Sequence, residues 1–69
     1  SIPVKIGSEN TKLIIYDALG RQTEILVNEH LSSGKYEYDW DASKYASGLY
    51  YYRLTAGNYS EVKKMILVK

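Results

Sequence analysis

The chain has no cysteine, so no disulfide can brace it. With a single histidine and scattered carboxylates it also lacks the ligand set of a structural zinc site. No apolar run approaches the roughly 20 residues that a membrane-spanning helix needs. The opening Ser1-Ile-Pro-Val-Lys-Ile6 lacks the basic start and apolar core of a secretory signal peptide. A start methionine is lacking too, and a fragment of something longer is expected. Charge of one sign is not in excess: nine Lys and Arg stand against eight Asp and Glu. That balance excludes nucleic-acid binding through phosphate neutralisation. The lack of cysteine fits both the cytosol and a bridge-free extracellular domain, so it assigns no compartment.

A long helical period is absent as well. The 69 residues make one domain, and its core must come from aliphatic and aromatic burial. Eight tyrosines and one tryptophan supply much of that area. Residues 41–54 organise the rest. Asp41, Ser43, Ser47 and Gly48 are turn formers, and from Leu49 the pattern becomes two-fold. Tyr50, Tyr52 and Leu54 share one face; Leu49, Tyr51 and Arg53 share the other.

Other strands read similarly. Residues 2–6 place Ile2, Val4 and Ile6 on one face, and Pro3 makes this an edge strand or a strand start. Residues 7–10 form a turn cluster. Residues 11–17 point Leu13 and Ile15 inward. Asp17-Ala-Leu-Gly20 reads as a type I turn closed by a left-handed glycine. Residues 22–27 return with Leu26 as inward anchor, and residues 28–34 are a loop with Leu31 tucked under the core. Residues 35–41 alternate, with Tyr36, Tyr38 and Trp40 on one face. A corner over residues 42–48, read as one helical turn, places Tyr45 at the end of the core. After the turn at Ala56-Gly-Asn58, residues 59–68 form the last strand. Either Met65 and Leu67 or Ile66 and Val68 face inward, with the first pair preferred.

The fold class expected is therefore all-β: an immunoglobulin-like β-sandwich of six to seven antiparallel strands. Turn signals at short intervals separate the six strands read here. The spacing from Tyr45 to Tyr50 matches a tyrosine corner, in which the Tyr50 hydroxyl bonds backbone near Tyr45.

Candidate chemistry is thin. His30 sits in a polar stretch with Glu29, with no nucleophile or oriented carboxylate signalled beside it. Asp39 and Asp41 share a strand face, as a glycosidase pair or part of a calcium site would. However, a calcium loop offers more oxygens, and a glycosidase needs a larger cleft. The favoured reading has Asp39 solvated and Asp41 opening the corner through a bond to backbone. Tyr16 and Tyr51 face away from the core and could stack on sugars, but small domains always expose some apolar surface. No phosphate loop, nucleophile elbow or metal-ligand spacing is present. No catalytic residue, cofactor or metal is expected.

Several segments together resemble one family. They are Leu13-Ile-Ile-Tyr-Asp-Ala-Leu-Gly-Arg21, Leu26-Val-Asn-Glu29, Gly34-Lys-Tyr-Glu-Tyr-Asp-Trp-Asp-Ala-Ser43, Tyr45-Ala-Ser-Gly-Leu-Tyr-Tyr-Tyr-Arg-Leu54, Ala56-Gly57 and Lys63-Lys-Met-Ile-Leu-Val-Lys69. In order and spacing they resemble the type A C-terminal sorting domain of cargo for the type IX secretion system. That domain is similar to the immunoglobulin-like domain of flagellar hook-capping proteins.

The resemblance implies a non-enzymatic tag behind an N-terminal cargo domain. It would be read by the outer-membrane translocon and cut by a sortase-like peptidase as cargo is released or attached to surface lipopolysaccharide. The implied location is the exterior or cell surface of a Gram-negative bacterium, reached through the periplasm without membrane insertion. The signal positions implied are Gly48, Tyr50, Arg53, Leu54, Lys64, Met65, Leu67 and Lys69, with Lys69 as a natural C-terminus. Family members usually open on a Pro/Asn-rich segment leading into a first strand; this chain does not, and the resemblance thus implies a first strand missing ahead of Ser1, whose loss would leave a sheet edge open to another strand. The alternatives are a structural spacer, as in the hook-capping protein, and a carbohydrate-binding module of a secreted glycosidase.

Overall fold

Alternating inward aliphatic and aromatic residues build six strands, and no helix is present among the described residues. The computed structural model describes residues 2–7 and 9–68, and of Ile6 the backbone only. The inward orientation expected of Ile6 and the role expected of Lys69 lie outside what is described. The strands are β1 (Ile2–Ile6), β2 (Glu9–Asp17), β3 (Gln22–Leu31), β4 (Gly34–Tyr38), β5 (Gly48–Ala56) and β6 (Tyr59–Leu67). All pairings are antiparallel. They form a four-stranded sheet in the order β3-β2-β5-β6 and a two-stranded sheet β1-β4, the two layers of a β-sandwich.

The core sits between the layers. β1 contributes Ile2 and Val4, and the larger sheet contributes Leu13, Ile15, Val27, Leu31, Tyr50 and Leu54. Leu13 and Ile15 are fully buried. Each removes a whole aliphatic side chain from water, worth roughly 1.5–3 kcal/mol. Thr11, the one buried polar side chain among the described residues, donates its hydroxyl to the Glu9 carbonyl at 3.2 Å. Tyr52, Met65 and Leu67 are half-buried on the same inner face. Ile66 and Val68 are exposed, so the preferred pair, Met65 and Leu67, is the inward one.

One end of the core is closed by three rings. The Trp40 and Tyr50 centroids lie 5.1 Å apart in an edge-to-face arrangement, with Tyr45 5.3 Å from Trp40. Such pairs add roughly 0.5–1.5 kcal/mol each beyond their buried area. The Tyr50 hydroxyl donates to the Ala46 carbonyl at 2.7 Å, which is the corner bond expected from the Tyr45 to Tyr50 spacing. The Tyr45 hydroxyl meets the Thr23 carbonyl and the Glu24 carboxylate, both at 3.2 Å. Burial, and then Glu24, hold its pKa above the ordinary value. Trp40 Nε1 is buried without a hydrogen-bond partner among the described residues.

Turns follow the side chains that make them. Asp17 accepts from the Leu19 and Arg21 amides and from Arg21 Nε, all within 2.8–2.9 Å, and Gly20 closes the turn at φ 82°. Asp41 accepts from the Ser43 amide at 3.1 Å and so opens the corner.

Several expectations are corrected. β2 starts at Glu9 instead of Thr11, taking two residues from the turn cluster. Residues 28–31 are strand, not loop: Asn28, Glu29 and His30 pair with Lys12, Thr11 and Asn10, because ladder bonds need backbone groups and not apolar side chains. The buried anchor of β3 is Val27, with Leu26 half-buried beside the core. A register shift between Leu13 and Ile14 makes Leu26 the extra residue and changes the phase of the strand. β4 ends at Tyr38, before Trp40 and Asp41. The corner after it is a turn, with the Tyr45 amide donating to the Ala42 carbonyl at 3.0 Å, and not a helical turn.

Candidate recognition surface

Of the expected signal residues, Gly48, Tyr50, Arg53 and Leu54 fall on β5 and Lys64, Met65 and Leu67 on β6, and the two strands pair along their full length. The ladder sets Gly48 opposite Leu67 and Tyr50 opposite Met65, so the structure brings these four together. Leu54 lies further along, opposite Glu61. Tyr50, Leu54, Met65 and Leu67 face the core, where they hold the hairpin against the second layer. Gly48 has φ 152°, a conformation that side-chain-bearing residues rarely adopt, so it fixes the chain's exit from the corner.

Arg53 and Lys64 are different: alternation along β5 and β6 turns both to the outward face of the larger sheet. Arg53 stands opposite Ile14 on one side and Val62 on the other. Its guanidinium carbon lies 6.0 Å from the Tyr16 ring centroid, close enough for a cation–π attraction. Tyr16, Gly20, Tyr51, Arg53 and Val62 line a shallow hollow on this face.

The inward row of β6 continues past the core as Tyr59, Glu61 and Lys63. The Tyr59 hydroxyl donates to Glu61 Oε2 at 2.8 Å, and Lys63 Nζ lies 3.1 Å from Glu61 Oε1. These two donors hold the Glu61 pKa below its ordinary value, Tyr59 contributing most. Glu61 in turn raises the pKa of both partners. The row is charged because the two-stranded layer is too narrow to cover all four strands of the other.

The remaining candidates are scattered. His30 lies on β3 opposite Asn10, not in a loop, whereas Asp39 and Asp41 lie beyond β4. Among the described residues no group of three or more His, Cys, Asp or Glu is placed to hold a metal ion. Alternation in the sequence already turns Lys12 away from Leu13 and Ile15, and Arg53 away from Tyr50 and Leu54; what it does not signal is that strand pairing brings these two and Lys64 onto one face.

The family model for the secretion system C-terminal sorting domain matches residues 1–69, the whole chain. No curated protein and no solved structure shows significant similarity to it. An all-β sandwich whose final hairpin gathers the expected signal positions, together with an end-to-end family match, gives one conclusion: the chain belongs to the secretion system C-terminal sorting domain family, the sorting signals of type IX secretion.

Proposed function

We propose that the chain is a folded, non-catalytic tag on a larger exported protein, read by the outer-membrane translocon through the β5–β6 hairpin. The observation that carries this is the whole-chain family match. The geometry supports it: β6 is an edge strand, so its outer backbone groups are open to a partner strand, while Arg53 and Lys64 stand out from the sheet face. Gly48, Tyr50, Leu54, Met65 and Leu67 serve recognition by fixing the hairpin, and Lys69 contributes to recognition as a further signal position. A sortase-like peptidase then separates tag from cargo. The route runs through the periplasm to the exterior or surface of a Gram-negative cell.

The test is a reporter carrying this domain in a bacterium that has the system. Deleting residues 64–69 is expected to abolish export, and Met65→Leu, which keeps the inward face filled, to preserve it. Undiminished export of the deletion overturns the proposal.

A further inference from the structure

The four-stranded sheet has an outward face that nothing among the described residues covers. Its charges are segregated. Lys12, Arg53 and Lys64 turn outward there, and none of the eight carboxylates does. The carboxylates go elsewhere. Glu9, Glu24, Glu29 and Glu61 lie on the inward rows, Asp17 is in its turn, and Glu37, Asp39 and Asp41 are on or beyond β4. A chain of net charge +1 thus concentrates three cations on one surface.

The same face is apolar between the charges. Ile25, Val62 and Ile66 are 46%, 52% and 72% exposed, and Ile14, Tyr16 and Tyr51 are half-buried among them. The cations are spread through this patch and do not ring it. Lys12 is on β2, Arg53 on β5 and Lys64 on β6, each one cross-strand row further along. By strand spacing and rise that diagonal steps by roughly 8 Å.

We infer that this face docks an acidic protein surface: an apolar centre with carboxylates set to meet Lys12, Arg53 and Lys64. The inference rests on the sorting function above and names the kind of partner that reads the tag. Two other occupants fit worse. A lipid surface would have to take Arg53, held between Ile14 and Val62, into hydrocarbon, which is costly for a charged side chain. A second copy would set cations against cations with no carboxylate to offset them, because a two-fold contact uses the same patch twice. A carboxylate-bearing protein instead gives Arg53 a planar, bidentate partner and leaves the apolar rows to pack.

The experiment uses the full cargo protein carrying this domain, in a bacterium with the secretion system. A photo-cross-linking amino acid replaces Ile66 on the face, or Lys35 on β4 as a control. The linked segment is identified by mass spectrometry. From Ile66 we expect one protein segment containing carboxylates. R53E/K64E should lower the yield roughly tenfold or more, and K12E/K64E should do the same if the first variant folds poorly by circular dichroism. Replacing the carboxylates of the linked segment by lysine should restore it. An adduct with lipid, with a second copy or with a segment lacking carboxylates overturns the inference, as does a yield unchanged by both charge reversals. If removing residues 64–69 stops export while R53E/K64E exports normally, the sorting function stands and the docking face falls. If the unaltered cargo is not exported at all, the sorting reading fails, and the linked segment from Ile66 still decides the face.

Discussion

Tyr50 ties its strand to the corner before it through one hydroxyl. The ring is buried against Trp40, and the oxygen reaches the Ala46 carbonyl at 2.7 Å. Tyr50→Phe keeps the ring and loses the bond, at an expected cost of about 1 kcal/mol in urea denaturation. This contact was legible in the sequence because it is local: a tyrosine at a strand start, four residues after a turn-rich corner, has few other backbone groups in reach. The unpartnered Trp40 Nε1 was not legible, since what surrounds it depends on how Tyr45 and Tyr50 fold over it. Asp17 is a second local case. Donation from the Arg21 amide holds its pKa below the ordinary 3.8; burial opposes this, and the Arg21 side chain and the Leu19 amide add to the lowering. A depressed carboxylate stabilises the fold fully above its unfolded-state pKa and ceases to do so as pH falls through the lowered folded value. Melting temperature should therefore drop on acidification below about pH 4, and Asp17→Asn should flatten that dependence. An identical slope in the variant would show that the turn is not its source.

At the scale of one strand, β3 shows where pattern reading stops. Its first half was visible from Leu26 and Val27, but the inward member of the pair is set by the irregularity opposite Leu13 and Ile14, which leaves no mark in composition. Its second half is polar and resembles a loop, yet β2 offers backbone partners all the way to Glu9. The consequence is measurable. Val27→Ala should cost roughly 1–3 kcal/mol, the large-to-small penalty of a fully packed site, and Leu26→Ala distinctly less because its side chain is only half-buried. Equal costs would contradict the observed phase. In β5 and β6, by contrast, alternation held throughout, and the inward set Tyr50, Tyr52, Leu54, Met65 and Leu67 was read correctly.

For the molecule as a whole, the all-β class, the strand count and the short hairpins followed from turn residues and period two. The split into layers of four and two strands did not, because it depends on which distant strands pair. Of the candidate site, the residues on β5 and β6 were named in advance through family resemblance, and alternation divided them into core-facing and outward groups; the ladder adds which of them stand opposite one another. So small a domain has little stability to lose. At roughly 0.05–0.15 kcal/mol per residue, a substitution such as Leu13→Ala, expected to cost about 2–5 kcal/mol, should leave much of the population unfolded at 37 °C by circular dichroism. A sharp native-like melt would imply that the layers contribute less than their burial suggests.

β5 is a central strand of the larger sheet, yet it comes late in the chain, and its partner β2 comes early. During synthesis β2 can pair only with β3 until residues 48–56 have left the ribosome. Whatever is encoded ahead of this segment is therefore finished before the sheet can close. Termination anywhere before β5 would leave β2 without its second neighbour and the larger sheet unbuilt, so the arrangement doubles as a proof that the fold is complete.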